Sequence, residues 1–259
     1  MEAIGVYDSG VGGLTVLKEL RKNFPKEKFV YFADTAHLPY GAKSLDQIQS
    51  YAKGAGDFFE NLGVKALVIA CNTATGAALD LLKDQMSCPV LGVIGPGAKA
   101  AYQASKIGKY GLLATQATVD QGFYENKLKD LDPGAKIYSQ GCPQLVLAVE
   151  DGLGSHYIGK KIAWEYLDLL PGDYDTLILG CTHFPLARQG VEDYFAFYKR
   201  KVTVVDPAEQ TCLDLKETIQ IKNQTKPGVT YYCSGDPKAF AQKAAKILGE
   251  KIRVKRVKE

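Results

Sequence analysis

Two stretches of this 259-residue chain follow the same short plan. Ala66-Leu67-Val68-Ile69-Ala70-Cys71-Asn72-Thr73 and Thr176-Leu177-Ile178-Leu179-Gly180-Cys181-Thr182-His183 each carry an apolar run into a small residue, a cysteine and short polar residues. Such a run suits a strand buried on both faces, and the polar residues stand where they can cap a following helix. The likeness reaches upstream: Ile4-Gly5-Val6-Tyr7-Asp8-Ser9 matches Tyr110-Gly111-Leu112-Leu113-Ala114-Thr115, and the glycine-to-cysteine intervals are 66 and 70 residues. A chain built twice on one strand-and-helix plan is confined to α/β folds. It also carries a thiol to the same place in each half.

The pattern between these stretches alternates strand and helix. Strands are expected at Ala3–Tyr7, Lys28–Ala33, Lys65–Ala70 and Pro89–Val93, the last stopped by the breaker Gly95-Pro96-Gly97. Leu14, Val16, Leu17 and Leu20 carry a helical stripe, and helices are expected at Leu45–Leu62 and after each cysteine. A second set follows: strand Tyr110–Ala114, helix Val119–Leu131, strand Ala135–Tyr138, helices at 143–150 and 156–170, then strands Thr176–Leu179 and Val202–Val205. The last helix, strand (Val229–Cys233) and helix (Pro237–Leu248) are expected to pack back on the first half. The expected fold is two similar α/β domains with mostly parallel sheets, pseudo-twofold related, around a central cleft. Residues 1–97 with 208–259 form the first domain, and 98–207 the second. In such sheets ligands gather outside the carboxyl ends of the strands, where Asp8, Asp34, Cys71, Thr115, Cys181 and Asp206 fall.

Composition removes several classes. A net charge of +3 is too mild to argue for a nucleic-acid partner. The basic end, Lys251 to Lys258, reads as a solvated edge strand or tail. No apolar run approaches the roughly 20 residues that span a bilayer, and the start lacks the basic and apolar regions of a secretion signal. The six cysteines show no C-x-x-C pair and no paired histidine ligands, so metal and redox-motif readings are weak. A reducing cytoplasm, where free thiols persist, is the expected location.

Asp8-Ser9-Gly10-Val11-Gly12-Gly13 is a glycine-rich strand-to-helix turn, but Thr15 stands where a dinucleotide fingerprint needs its third glycine. Its backbone N–H groups suit a carboxylate, while Asp8 suits an ammonium group, a base role or a plain helix cap. Asp34 to Gly41 is a polar loop whose Pro39 and Gly41 are expected to expose Tyr40 and backbone amides. A lone cysteine is more often a small buried hydrophobe, and Cys88, Cys142, Cys212 and Cys233 keep that reading. The repeated pair is different, because two thiols across a cleft can take a proton from one face of a carbon and return it to the other. An unperturbed thiol has a pKa of about 8.5, so neighbours must move its proton. His183 lies two residues from Cys181, Glu150 can orient it, and Asp8 is the candidate helper for Cys71.

Taken in order, these strings resemble the glutamate racemase family: Gly5–Leu14, Ala33–Gly41, Ala70–Ala74, Ala114–Val119, Val149–Gly152, Leu179–Leu186 and Ser234–Asp236. The resemblance implies a cofactor-independent isomerase, an amino-acid racemase that interconverts L- and D-glutamate and supplies D-glutamate for peptidoglycan, hence for cell wall and cell shape. It implies Cys71 and Cys181 as the acid/base pair, Cys71 acting on D-glutamate and Cys181 on L-glutamate, assisted by Asp8, Glu150 and His183. It further implies substrate contacts from Asp8, Ser9, Tyr40, Gly41, Asn72, Thr73, Thr118, Thr182 and His183, no metal, no membrane or nucleic-acid partner, and a homodimer. Small departures from the family pattern fall at His37, Gln121, Phe184 and Pro207, away from the proposed pair. An aspartate or other amino-acid racemase, and a noncatalytic protein that binds acidic amino acids, remain the alternatives. Two matching cysteine contexts disfavour the related decarboxylases, which keep one thiol.

Overall fold

The computed structural model describes residues 2–221 and 227–257; Lys258 of the basic end lies outside them. β1 (Ala3–Asp8) is buried throughout and feeds the glycine-rich turn into α1 (Leu14–Asn23), whose predicted stripe is buried. β2 (Lys28–Ala33) and α2 (Leu45–Leu62) have the predicted limits. α2 starts on a capping box between Ser44 and Gln47 and stops at Gly63, in the left-handed region. β3 (Ala66–Ile69), α3 (Asn72–Gln85) and β4 (Val90–Gly92) follow. The expected breaker Gly95-Pro96-Gly97 instead lies in the first turn of α4 (Ile94–Ala104). The first N–H groups of a helix have no carbonyl partner inside it, so a proline there costs no hydrogen bond.

The second run opens with β5 (Lys109–Ala114). The single helix expected next is two, α5 (Gln116–Asp120) and α6 (Phe123–Leu131), parted by Gly122 at φ 61°. α5 begins early because Thr115 Oγ1 accepts the Thr118 N–H as its cap. β6 (Lys136–Gly141), α7 (Pro143–Glu150), α8 (Tyr157–Asp168) and β7 (Thr176–Gly180) continue the alternation.

The helix expected directly after Cys181 does not form; Phe184–Ala187 is a 3-10 turn, and α9 (Arg188–Phe197) comes later. A helix capped by Cys181 would take its first bond from residue 185 to the Cys181 carbonyl, and Pro185 has no N–H to give. The Phe184 N–H bonds that carbonyl instead, at 3.1 Å. At the matching place in the first half, the Thr75 N–H bonds the Cys71 carbonyl at 2.8 Å and α3 proceeds. β8 (Thr203–Val205), α10 (Pro207–Thr218), β9 (Gly228–Cys233), α11 (Pro237–Leu248) and β10 (Val254–Arg256) complete the chain.

Among the described residues all strand pairs are parallel and fall in two sheets, ordered β10-β9-β2-β1-β3-β4 and β6-β5-β7-β8. The run β2-β1-β3-β4 has the same order as β6-β5-β7-β8, which is the repeat read from the glycine and cysteine strings. Gly5 and Gly111 hold equivalent places, opposite Leu67 and Leu177 on the neighbouring strand. A β-carbon on Gly5 would stand under 3 Å from Phe59 of the covering α2, and one on Gly111 under 3 Å from Leu177 of the neighbouring strand. Helices cover both faces of both sheets, which is why the central strands are apolar without alternation. The basic end forms β10, the expected edge strand. Core residues up to Val93, and again from Ala208, pack on the six-stranded sheet, while Ile94, Ala98 and Val205 pack on the other.

Candidate active site

Residues from the carboxyl ends of both sheets enclose one cavity of about 140 Å³. Ser9, Cys71, Asn72 and Thr73 come from one half, and Thr115, Cys181, Thr182 and His183 from the other. Leu38, Pro143, Val146 and Leu147 add apolar walls, and no described lysine or arginine lines it. Both thiols therefore face one space, each buried. A wider groove of about 550 Å³ opens by the amino ends of β2 and β9, lined by Lys18, Arg21 and Lys22, and includes neither thiol.

The two thiols have unlike surroundings. Cys71 is the N-cap of α3: its sulfur accepts the Ala74 N–H at 3.5 Å, and its S–H donates to Ser9 Oγ at 3.8 Å. Burial pushes the Cys71 thiol up to about 12, Asp8 adds to that, and the Ala74 N–H and Ser9 offset only part. Cys181 Sγ instead lies 3.5 Å from His183 Nδ1. His183 Nε2 is 2.8 Å from Glu150 Oε1, and Lys243 Nζ is 2.8 Å from Glu150 Oε2. Burial alone would depress the imidazole pKa, but Cys181 and Glu150 outweigh it and hold His183 above its ordinary value. Burial likewise works against the Glu150 carboxylate, and His183 with Lys243 reverses that, holding its pKa low. The pair His183–Glu150 is thus an ion pair.

Asp8 is fully buried at the end of β1. One oxygen accepts the Gly10 N–H at 2.9 Å, the other the Thr182 hydroxyl at 3.2 Å, so it ties the glycine-rich turn to the opposite half. The N-cap of α1 is Gly13, which leaves Asp8 out of the capping role. Burial raises its pKa to about 6, with His183 and the Gly10 N–H acting against that rise.

Tyr40 departs from expectation. Its ring is buried rather than exposed, with its hydroxyl 2.5 Å from both the Tyr7 hydroxyl and Asp34 Oδ2. Asp34 also takes hydrogen bonds from Ser234 at 2.7 Å and His37 at 2.8 Å, so it anchors the loop that lays Gly41 beside Thr115. Three hydrogen bonds onto this one carboxylate, two of them buried, anchor the loop beside the cavity more firmly than Pro39 and Gly41 alone suggest. Asp206 caps α10 through the Ala208 N–H at 3.0 Å. Thr118 is buried behind the wall, bonded to Thr115 Oγ1 at 2.9 Å, while Thr115 and Gln116 reach the cavity. Asn72 presents its amide with the carbonyl end already taken by the Tyr124 hydroxyl at 2.7 Å. Sequence reasoning missed Lys243, 93 residues from its partner, because no local pattern marks it.

Residues 13–212 match the family model described as Asp/Glu/Hydantoin racemase. The glutamate racemase of Aquifex aeolicus is 40% identical over 252 residues, which cover 97% of this chain and 96% of that one. Among solved structures, the glutamate racemase isoform RacE1 of Bacillus anthracis superposes with a TM-score of 0.93 at 37% identity, covering 99% and 97% of the two chains. The Francisella tularensis glutamate racemase, solved in complex with D-glutamate, gives 0.90 at 31% identity, covering 99% and 97%. A duplicated parallel fold, a buried cavity between its halves and likeness over almost the whole length agree, and the chain belongs to the Asp/Glu/hydantoin racemase family of isomerases.

Proposed function

We propose that this protein racemises glutamate without a cofactor, with Cys71 and Cys181 exchanging the α-proton from opposite faces. The single observation that carries the reading is that both thiols, one from each half, open onto the same small cavity. The proposed lobes are residues 1–97 with 208–259 and residues 98–207, and the division of the core supports them.

For L-glutamate, the Cys181 thiolate, paired with the His183 cation, takes the α-proton. The Cys71 thiol then returns a proton to the other face, leaving Cys181 as thiol and Cys71 as thiolate. The raised pKa of Cys71 suits the resting thiol that this direction requires. The reverse reaction runs the same two transfers backwards. Protons must move between the two sides before another turnover in the same direction, and Asp8, with a pKa near 6 and a hydroxyl link to the opposite half, suits that exchange.

With no described lysine or arginine in the lining, the substrate carboxylates are held by neutral donors: the Ser9 and Thr73 hydroxyls, the free NH₂ end of Asn72, and backbone N–H groups at Tyr40 and Gly41, while the Thr182 hydroxyl is already given to Asp8. Tyr40 then serves through its backbone, because its hydroxyl is engaged elsewhere. Dipoles fixed in a dry cavity stabilise developing carbanion charge without reorganising. General acid–base help contributes about 10²–10⁴-fold, so positioning and closure supply the rest. The Francisella relative solved with D-glutamate supports glutamate as the ligand, and the D-glutamate formed would feed cell-wall synthesis.

The test is incubation with L-glutamate in D₂O without added cofactor, following circular dichroism and α-deuteration. Loss of optical activity with deuterium in the D-enantiomer is expected. Tight glutamate binding with unchanged rotation would mean a binding protein instead. Faster turnover of L-aspartate, one methylene shorter, would move the assignment to an aspartate racemase.

A further inference from the structure

Lys243 lies outside the cavity, yet it completes a chain that begins at a thiol. Its helix α11 packs on the six-stranded sheet through Phe240 and Ala244, whereas Glu150 ends α7 on the other sheet. One oxygen of Glu150 is 2.8 Å from Lys243 Nζ, and the other is 2.8 Å from His183 Nε2. A single carboxylate therefore joins a half-exposed cation of one half to the imidazole beside Cys181 in the other.

We propose that Lys243 is a positioning residue of the racemisation site, which holds Glu150 ionised and aimed at His183 across the two lobes. This rests on the two-thiol reading above.

The last torsion of a glutamate side chain is broad and roughly two-fold, so one partner leaves the carboxylate free to swing. A second cation on the second oxygen fixes its plane, and with it the imidazole. Burial favours protonation of Glu150, and both cations oppose it. Other charged or titratable groups face this region from every side. Asp151 follows on its own segment, and Cys181 and His183 come from the loop after β7. Asp8 and Tyr31 approach from the first sheet, and Lys246 and Lys251 line the outer groove beside Lys243. Among the described contacts, only His183 and Lys243 bond the Glu150 carboxylate. Lys243 sits on α11 and Glu150 on α7, so this one contact ties the two halves together beside the imidazole.

The experiment compares wild type with Lys243→Met, Lys243→Arg and, as a charge control, Lys246→Met. It reads kcat and KM for L-glutamate between pH 5 and 9, and the imidazole NMR signals. The chain has three histidines, so the His183 signal is assignable. Lys243→Met should lower kcat about three- to fivefold at neutral pH, as befits a half-exposed ion pair, with KM within about twofold. The loss should deepen toward pH 5, because a carboxylate with one cation fewer takes up a proton at higher pH. The His183 Nε2–H signal, bonded to Glu150, should show its acid inflection at higher pH than in wild type. Lys243→Arg should restore both readouts, and Lys246→Met should leave both in place. An unshifted acid limb and inflection in Lys243→Met, with only a lower melting temperature, would overturn the proposal. So would an equal shift in Lys246→Met. A wild-type protein that fails to racemise glutamate overturns the two-thiol reading instead, and the His183 inflection still decides the coupling.

Discussion

Cys71 and Cys181 end equivalent strands, yet the chain surrounds them by opposite means. Cys71 caps a long helix and meets an N–H, a serine hydroxyl and a buried carboxylate at a distance. Cys181 precedes a 3-10 turn and meets an imidazole that is itself held by a carboxylate and a lysine. The first thiol is kept protonated by burial, and the second is given a cation. Duplication supplies the symmetry of position that a two-sided proton transfer needs, and local sequence then removes the symmetry of charge. In the proposed mechanism this difference casts Cys71 as the proton donor and Cys181 as the proton acceptor for L-glutamate. Because the two enantiomers have equal free energy, kcat/KM must be the same in both directions. The asymmetry can show only in kcat and KM separately and in pH dependence.

The strongest test removes each thiol in turn. Cys71→Ala and Cys181→Ala should each reduce racemisation at least about a thousandfold in both directions, since each direction uses both groups. Circular dichroism should show the fold intact, because both cysteines contribute little volume. Wild-type turnover in either variant would end the paired-thiol reading, whatever the other variant did.

Asp8→Asn tests the first half's charge. A fall of about a hundredfold in kcat is expected, because an amide cannot move protons between the sides. Stability should move the other way. The folded pKa of Asp8, about 6, is above its ordinary 3.8. The folded state therefore binds this proton more tightly than the unfolded one, and that contribution is complete below about 4 and lost as pH rises through 6. At pH 8 the variant avoids a buried charge and should melt at a higher temperature than wild type; near pH 4 the gain should vanish. A variant that is less stable at pH 8 would show that the hydrogen bonds from Gly10 and Thr182 outweigh the cost of burying the charge.

Much of this was legible in the chain. The strings around Gly5, Cys71, Gly111 and Cys181 announce a repeated strand, because a parallel sheet covered on both faces demands unbroken apolar runs. The matching sheet orders follow from that repetition. The ends of those strands mark the site, since parallel strands send all their carboxyl ends the same way. Less legible was how each strand end continues. Pro185 decides against a helix after Cys181, and Gly122 splits α5 from α6, and each acts through one backbone group. Tyr40 reads as an exposed loop tyrosine until Asp34 and Tyr7 are seen to bury its hydroxyl. Lys243 has no local signal at all, because its meaning comes from the packing of two helices distant in sequence.

Glu150→Gln probes the second half. The variant keeps the shape but removes the anion that holds His183 charged, so a loss on the order of tenfold in kcat is expected, smaller than for a group that carries the proton itself. Glu150 raises the His183 pKa, so the stability that this raised pKa contributes is complete below about 6.5, the ordinary imidazole value, and fades as pH rises through the folded value. The variant should therefore lose more stability at pH 6 than at pH 10. An equal loss at both would mean that the ion pair's charge adds nothing to the fold and that only the hydrogen bond contributes.

The mildest change asks whether Pro185 alone makes the two strand ends differ. Pro185→Ala restores the N–H that could reach the Cys181 carbonyl, as the Thr75 N–H reaches that of Cys71. Two anchors oppose a switch to helix: Thr182 is bonded to Asp8, and His183 is bonded to Glu150. The 3-10 turn should persist, with kcat close to wild type. Stability should fall by about 0.4–1 kcal/mol from the greater freedom of the unfolded chain. A crystal structure of the variant with a helix begun at Thr182, and His183 drawn away from Cys181, would show that one missing hydrogen-bond donor, rather than the charged relay, sets the second thiol apart from the first.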